Sequence, residues 1–412
     1  MKRRTVLSAM VAAPFVARAQ ARPRVVVVGG GFGGATAARS LLLGNLEVVL
    51  IEARDVYTAC PFSNAVIAGM REIEQQRFGY GAIVSDGVRV IRDTAVGVDA
   101  DRRRLTLESG ASLIYDRLIL SPGIDMIWDA IPGYDATAAD TMPHAWKGEA
   151  QTLLLRRQLQ AMDNGGTVIM SIPANPYRCP PGPYERAGLI AWYLQRTKPK
   201  SKLLVLDAKD TFSKQKLFQA AWKRLYPNTL EWVGLSDGGK IARADPRAGA
   251  VETDFQTHRG DVVNIIPPQR AGHIASVAGV ADRTGWCPVD PATFESRLVP
   301  KIHVIGDAAI MGAMPKSAFA ANAQAKVCAL AVLRMLNGQA PDDPRLINTC
   351  YSLIAPNRAI SVSGVYRPLN GLLADIDGAG GTSRLDATDE TSALEATYAD
   401  AWFTTVTTEA FG

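Results

Sequence analysis

An α/β architecture of two dinucleotide-binding-type units is predicted by three features of this 412-residue chain. A glycine-rich turn joins a buried strand to a helix near the start. A second strand–turn–helix–strand segment follows in the middle. A late apolar strand then returns the chain to the first unit.

Val25 to Val28 is a continuous β-branched run, as expected of a strand covered on both faces. It ends in six residues of which Gly29, Gly31 and Gly34 fit G-x-G-x-x-G, and a helix is predicted from Ala35 to Leu43. The first glycine permits the tight turn, the second lets backbone approach a pyrophosphate, and the third permits close helix–strand packing. The helix N-terminus offers N–H groups to the phosphates. The next strand, from Glu47 to Ile51, ends at Glu52, where an acid is placed to hold ribose hydroxyls. Leu118 to Gly123 reads as the strand and turn that close this segment.

The fingerprint alone fits FAD or NAD. FAD is favoured by the late strand from Lys301 to Ile305, which ends in Gly306 and Asp307, an acid placed for a flavin ribityl chain. Ser317 to Leu336 reads as a small-residue helix whose N-terminus faces the flavin. In the middle unit, Thr167 to Ile172 is a strand, and Lys202 to Leu206 with Asp207 is a strand and acid. Between them, where glycines would stand, Pro173 to Pro183 is rich in proline. Proline lacks the N–H a pyrophosphate needs, so this unit is expected to have lost its nucleotide site.

Lys2, Arg3 and Arg4, the apolar Thr5 to Val16 and Ala19-Gln20-Ala21 read as a removable leader of twin-arginine type, hence export to the periplasm. Without it the net charge falls from +5 to +1, because the leader holds Lys2, Arg3, Arg4 and Arg18 and no acid. That balance gives no reason to expect nucleic acid or an anionic membrane as partner. No later segment reads as long and apolar enough to cross a membrane. The residues after the leader exceed one core, so two or three domains are expected.

The cysteines are Cys60, Cys179, Cys287, Cys328 and Cys350, with no CxxC pair and no CxxCH haem site. The four histidines have no metal-ligand spacing, so no metal is expected and any haem belongs to a partner. Cys179 precedes a helix expected from Ala187 to Gln195, a position that lowers a thiol pKa. Glu185 stands nearby as a proton acceptor. Spacing does not pair Cys179 with Cys350: a redox disulfide, a structural bridge and two buried thiols all remain open. Cys60, in the loop after Glu52, is either a buried core thiol or a point of covalent attachment to the flavin 8-methyl carbon.

Several stretches together resemble the flavoprotein subunit of flavocytochrome c sulfide dehydrogenase over nearly all of the chain after the leader. They are Val25 to Ala37, Pro143 to Lys147, Arg178 to Ala187, Ile265 to Gly272, Gly285 to Asp290, Ile305 to Asp307, Met314 to Ser317 and Asn348 to Ser352. The resemblance implies a glutathione reductase-like fold with FAD-binding segments 22–148 and 259–338. It also implies a nucleotide-free NAD-like unit at 149–258 and a C-terminal interface unit at 339–412. It further implies a redox disulfide between Cys179 and Cys350, a thioether from Cys60 to FAD, and Lys316 balancing flavin charge. Ala59 and Pro61 flank Cys60 and the loop before it is shorter, a departure from the family pattern. The implied reaction is oxidation of sulfide to sulfur or polysulfide: hydrosulfide attacks Cys179, and electrons pass through FAD to a c-type cytochrome subunit. The related alternatives are a sulfide-oxidising flavoprotein of a thiosulfate-oxidation system and a sulfide:quinone oxidoreductase. The acidic tail from Asp375 to Gly412 has no basic amphipathic stripe for a membrane surface. A non-enzymatic flavin-bearing scaffold would use the disulfide only structurally.

Overall fold

The computed structural model describes residues 22–412, and the leader expected at 1–21 lies outside them. The first unit is built from β1 (Arg24–Val28), α1 (Phe32–Leu41), β2 (Glu47–Glu52), β3 (Arg89–Arg92) and β4 (Arg117–Leu120). All four valines of β1 are buried, as a strand between two helix layers requires. α1 begins at Phe32, inside the glycine run and earlier than expected, and its first free N–H groups therefore open onto the cleft described below.

The middle unit contains β5 (Thr167–Ile172), α2 (Gly182–Thr197), β6 (Lys202–Asp207), α3 (Gln215–Leu225), β7 (Leu230–Val233) and β8 (Val262–Ile265). Its sheet is parallel in the order β7-β6-β5-β8. α2 starts five residues before the expected Ala187, because Pro183 in its first turn needs no N–H partner and already has a helical φ. The second FAD segment was expected from 259. The fully buried β8 still pairs with β5, so the chain leaves the middle sheet only after Ile265.

β9 (Ile302–Val304) then returns beside β4, completing a parallel sheet in the order β9-β4-β1-β2-β3. α4 (Ala318–Leu336) follows, and Ser317 caps it by accepting from the Ala320 N–H at 3.0 Å. By length and composition α4 is able to cross a membrane, which corrects the sequence expectation. Its alanines make it apolar, and it is half buried, lying along α1.

The last unit is an antiparallel sheet of β10 (Leu346–Ala355), β11 (Arg358–Leu369) and β12 (Leu372–Asp375), followed by α5 (Asp389–Phe411). The tail expected to be merely acidic and polar forms a 23-residue helix that packs back on the first unit. Ala396, Ala399, Phe403, Val406, Ala410 and Phe411 recur at helical spacing and are buried. Phe411 meets Phe32, Tyr57 and Phe78 at centroid distances of 5.6, 5.2 and 5.2 Å. Arg39 donates to the carbonyls of Thr408 and Glu409 at 2.8 and 2.9 Å, satisfying the end of the helix. Phe411→Ala is expected to cost about 3 kcal/mol. An unchanged denaturant midpoint for the variant would remove Phe411 as the anchor of this helix.

Candidate active site

The three units meet at an open cleft lined by residues of each. One end is the glycine turn. Gly29 has φ +96° and its N–H donates to the Ile51 carbonyl at 2.9 Å. A Cβ on Gly34 would lie 1.8 Å from the Gly29 carbonyl oxygen, so α1 can only sit this close to the turn with glycine there. Gly31 lines the cleft, whereas Gly34 sits behind the turn. Glu52 also lines the cleft and accepts from the Gly30 N–H at 2.7 Å. Gly306 and Asp307 form another wall. Asp307 Oδ1 is buried without a hydrogen-bond partner, and Oδ2 lies 3.9 Å from Arg178 Nη1. Burial raises the Asp307 pKa, while Arg178 and Lys316 oppose the rise. An orphaned carboxylate oxygen on the wall is what a flavin ribityl hydroxyl would satisfy, so these residues fit FAD.

Cys60, Cys179, Cys350 and Glu185 line the same cleft. The cysteines are free thiols and half-buried. Cys179 is held in a left-handed conformation with φ 56°, its N–H donating to the Lys316 carbonyl at 2.8 Å and its carbonyl accepting from Gly182 N–H at 2.8 Å. Such a conformation is costly for a residue with a Cβ. The lowered Cys179 pKa expected from the helix position is not found. Burial pushes the thiol up, and Cys350 and Glu185 push it further, against Arg178. Cys350 comes from β10, and its sulfur lies 3.3 Å from Asn348 Nδ2. Cys287 and Cys328 are fully buried in the core.

Glu185 Oε1 accepts from the Leu353 N–H at 2.9 Å, and Oε2 accepts from Asn64 Nδ2 at 2.9 Å. Burial raises its pKa despite those bonds and the nearby Lys214 and Arg186. Lys316 is set back from the wall. Its ammonium donates to the carbonyls of Asp307 and Ala309 at 2.9 and 2.6 Å, and stands 3.9 Å from the Trp286 ring centroid. Burial lowers it to about 8.

In the middle unit, the acid at the end of β6 is spent on protein donors. Asp207 is fully buried and accepts from Tyr184 Oη at 2.7 Å, Trp232 Nε1 at 3.1 Å and Lys209 Nζ at 2.6 Å.

Sequence reasoning missed Asn64, Arg178, Arg186, Lys214 and Trp402. Arg178, Asn64 and Trp402 line the cleft. Arg186 gave a usable signal, since a charged residue inside a largely apolar helix is unusual. Lys214 gave none.

Fold and cleft together define an FAD-dependent oxidoreductase with two dinucleotide-binding units. Residues 152–267 match the central region of the sulfide dehydrogenase [flavocytochrome c] flavoprotein chain. Residues 342–411 match the flavocytochrome c sulphide dehydrogenase flavin-binding region, and 23–156 match pyridine nucleotide-disulphide oxidoreductases. The flavoprotein chain of sulfide dehydrogenase from Chlorobaculum thiosulfatiphilum is 56% identical over 45 residues, which are 10% of this chain and 94% of that one. The chain belongs to the flavocytochrome c sulfide dehydrogenase flavoprotein family. Mitochondrial sulfide:quinone oxidoreductase of Mus musculus is 24% identical over 336 residues, covering 77% of this chain and 72% of its own. The sulfide:quinone oxidoreductase structure from Aquifex aeolicus shares the fold, with a TM-score of 0.75 and 16% identity over 94% of this chain and 92% of that one.

Removing Asp307 should weaken flavin retention. In a Cys60→Ala background, Asp307→Ala is expected to lose about tenfold to a hundredfold in FAD affinity, read from the flavin-to-protein absorbance ratio after dialysis. An unchanged ratio would remove Asp307 from the flavin site. Burial and Arg186 lower the His144 pKa from 6.5 to about 3. The unfolded chain takes up that proton below about 6.5 and the folded one does not, so stability should fall as pH drops through this window. Urea midpoints at pH 7 and 5 should show a shallower loss for His144→Asn than for the unsubstituted protein.

Proposed function

We propose that this protein oxidises sulfide to sulfur or polysulfide through a Cys179–Cys350 disulfide, with the electrons passing by way of FAD to a separate c-type cytochrome subunit. The observation that carries the reading is the meeting of Cys179, Cys350 and Glu185 in one cleft with the flavin-binding turn. A second supports it. The acid placed to hold a pyridine nucleotide, Asp207, accepts from Tyr184, Trp232 and Lys209 instead, which supports a reductant other than NAD(P)H.

Cys179 is the sulfur to be attacked. A buried thiol whose pKa is pushed up makes a poor nucleophile, but its sulfur within a disulfide is a good electrophile. Hydrosulfide adds to Cys179 Sγ, the S–S bond breaks, and its electron pair leaves on Cys350 Sγ. The product is a Cys179 persulfide, from which a second sulfide or other thiolate takes the outer sulfur. Glu185, favoured in its protonated form by burial, exchanges the protons of that step. When bound, FAD supplies an acceptor of two electrons that releases them one at a time. Gly29, Gly31, Glu52 and Asp307 hold it, and Cys60 carries its thioether. The chain acts after export to the periplasm. The sulfide:quinone relatives keep a quinone reductase as the second reading, and α4 does not favour it, being half buried on α1.

Anaerobic titration of the purified flavoprotein with sulfide, and separately with NADH, tests this. Sulfide is expected to bleach the flavin band near stoichiometrically and NADH to leave it. Cys179→Ser and Cys350→Ser should each slow the bleaching by at least about a hundredfold. Bleaching by NADH alone, or full-rate bleaching by sulfide in Cys179→Ser, would sink the assignment.

A further inference from the structure

Behind the thiol pair lies a lysine that the reaction as written does not use. Lys214 stands immediately before α3 with φ 60° and is 9% exposed. From the middle unit it reaches across to the C-terminal sheet. There its ammonium donates to the Cys350 carbonyl and Ser352 Oγ at 2.8 Å each, and to the Ile360 carbonyl at 3.4 Å. All three acceptors are neutral. The charged and titratable groups around it are Cys350 on β10, Glu185 on α2, Cys179 in the loop before α2, and Glu395 on α5, while α3 presents the Phe218 ring at 5.6 Å. Burial lowers the ammonium to about 8, and of the groups that hold it up Cys350 comes first.

Neutral acceptors are a poor exchange for the water a buried ammonium gives up. A full positive charge in this place is accounted for by an anion that forms during turnover. Opening the bridge creates one: the S–S electron pair leaves on Cys350 with no proton transferred. We propose that Lys214 is the positioning cation of the thiol pair, holding the Cys350 strand against the Cys179 loop and compensating the charge left on Cys350 when the bridge opens. The proposal rests on the disulfide reading above, but its test does not involve sulfide.

The full-length, flavin-loaded protein carrying Cys179→Ser leaves Cys350 as the one thiol of the pair. Its alkylation by iodoacetamide is followed across pH by the mass of the Cys350 peptide. Adding Lys214→Gln keeps a donor to the Cys350 carbonyl and removes the charge, while Lys214→Arg keeps the charge. The glutamine variant is expected to move the midpoint of the rate profile to higher pH by about one unit or more, and the arginine variant to restore most of it. A folded Lys214→Gln protein with an unmoved midpoint overturns the proposal and leaves Lys214 a structural tie. In a separate titration, absence of sulfide-driven bleaching in the unsubstituted protein alongside this midpoint shift would instead count against the sulfide reading alone.

Discussion

A guanidinium with no carboxylate against it, Arg186, is the constraint on which the cleft depends. It is 1% exposed, and its donors go to four oxygens: Asn64 Oδ1, the carbonyls of His144 and Ala145, and Asn264 Oδ1. An arginine fork has a fixed geometry and leaving it unsatisfied in the interior is expensive, so the segments that supply those oxygens are fixed relative to one another. Two of these segments lead to the cleft, as does Arg186 itself. Asn64 follows Cys60 by four residues, the 143–147 turn brings Ala145 and Trp146 to the wall, and Arg186 itself follows Glu185. The Trp146 ring lies 4.9 Å from the guanidinium carbon, closing the remaining face. Asn64 completes the tie by donating to Glu185 and to the Gly182 carbonyl.

The same logic extends into the C-terminal unit. Glu185 accepts from Leu353 on β10, and Lys214 donates to Cys350 and Ser352 of the same strand. Strand β10 is thus fixed from two sides by ionisable groups of the middle unit. Burial displaces the pKa values of both groups, as it does that of Cys179. The C-terminal unit therefore forms part of the site, which its flavin-binding family match and the cleft-lining Trp402 of α5 both reflect.

What the sequence made legible was local. The run of valines, the G-x-G-x-x-G turn, the Gly306–Asp307 turn and strand Thr167 to Ile172 all carry patterns that need no partner to be read. Cys60, Cys179, Cys350 and Glu185 were named before the structure brought them to one cleft. What failed depended on distant neighbours. Proximity to a helix start argued for an acidic Cys179, but desolvation by the other two units outweighs it. The apolar stripe of α5 is diluted by threonines and acids, so its packing against Phe32, Tyr57 and Phe78 could not be seen. The pairing of β8 was also out of reach, because its partner strand in the parallel sheet lies some ninety residues earlier. Lys214 is polar, follows a serine, and precedes an ordinary helix. Only the fold reveals that it is buried.

The proline-rich turn ties the middle unit to the thiol. In a nucleotide-binding unit, the turn after the first strand presents glycine N–H groups to a pyrophosphate and the helix start faces the ligand. Here the same turn has prolines in place of those donors, a left-handed Cys179 pinned by the Lys316 carbonyl, and α2 starting at Gly182 on the wall of the flavin cleft. Asp207, which would have met a ribose, is instead the buried acceptor for Tyr184, a residue of the first turn of α2. That bond fixes the start of α2 and with it the loop that carries Cys179. The Tyr184–Asp207 bond and the pinned turn together are therefore what position the thiol. A turn that presented glycine N–H groups here would give up the left-handed Cys179, and with it the placement of the thiol in one cleft with Glu185 and Cys350.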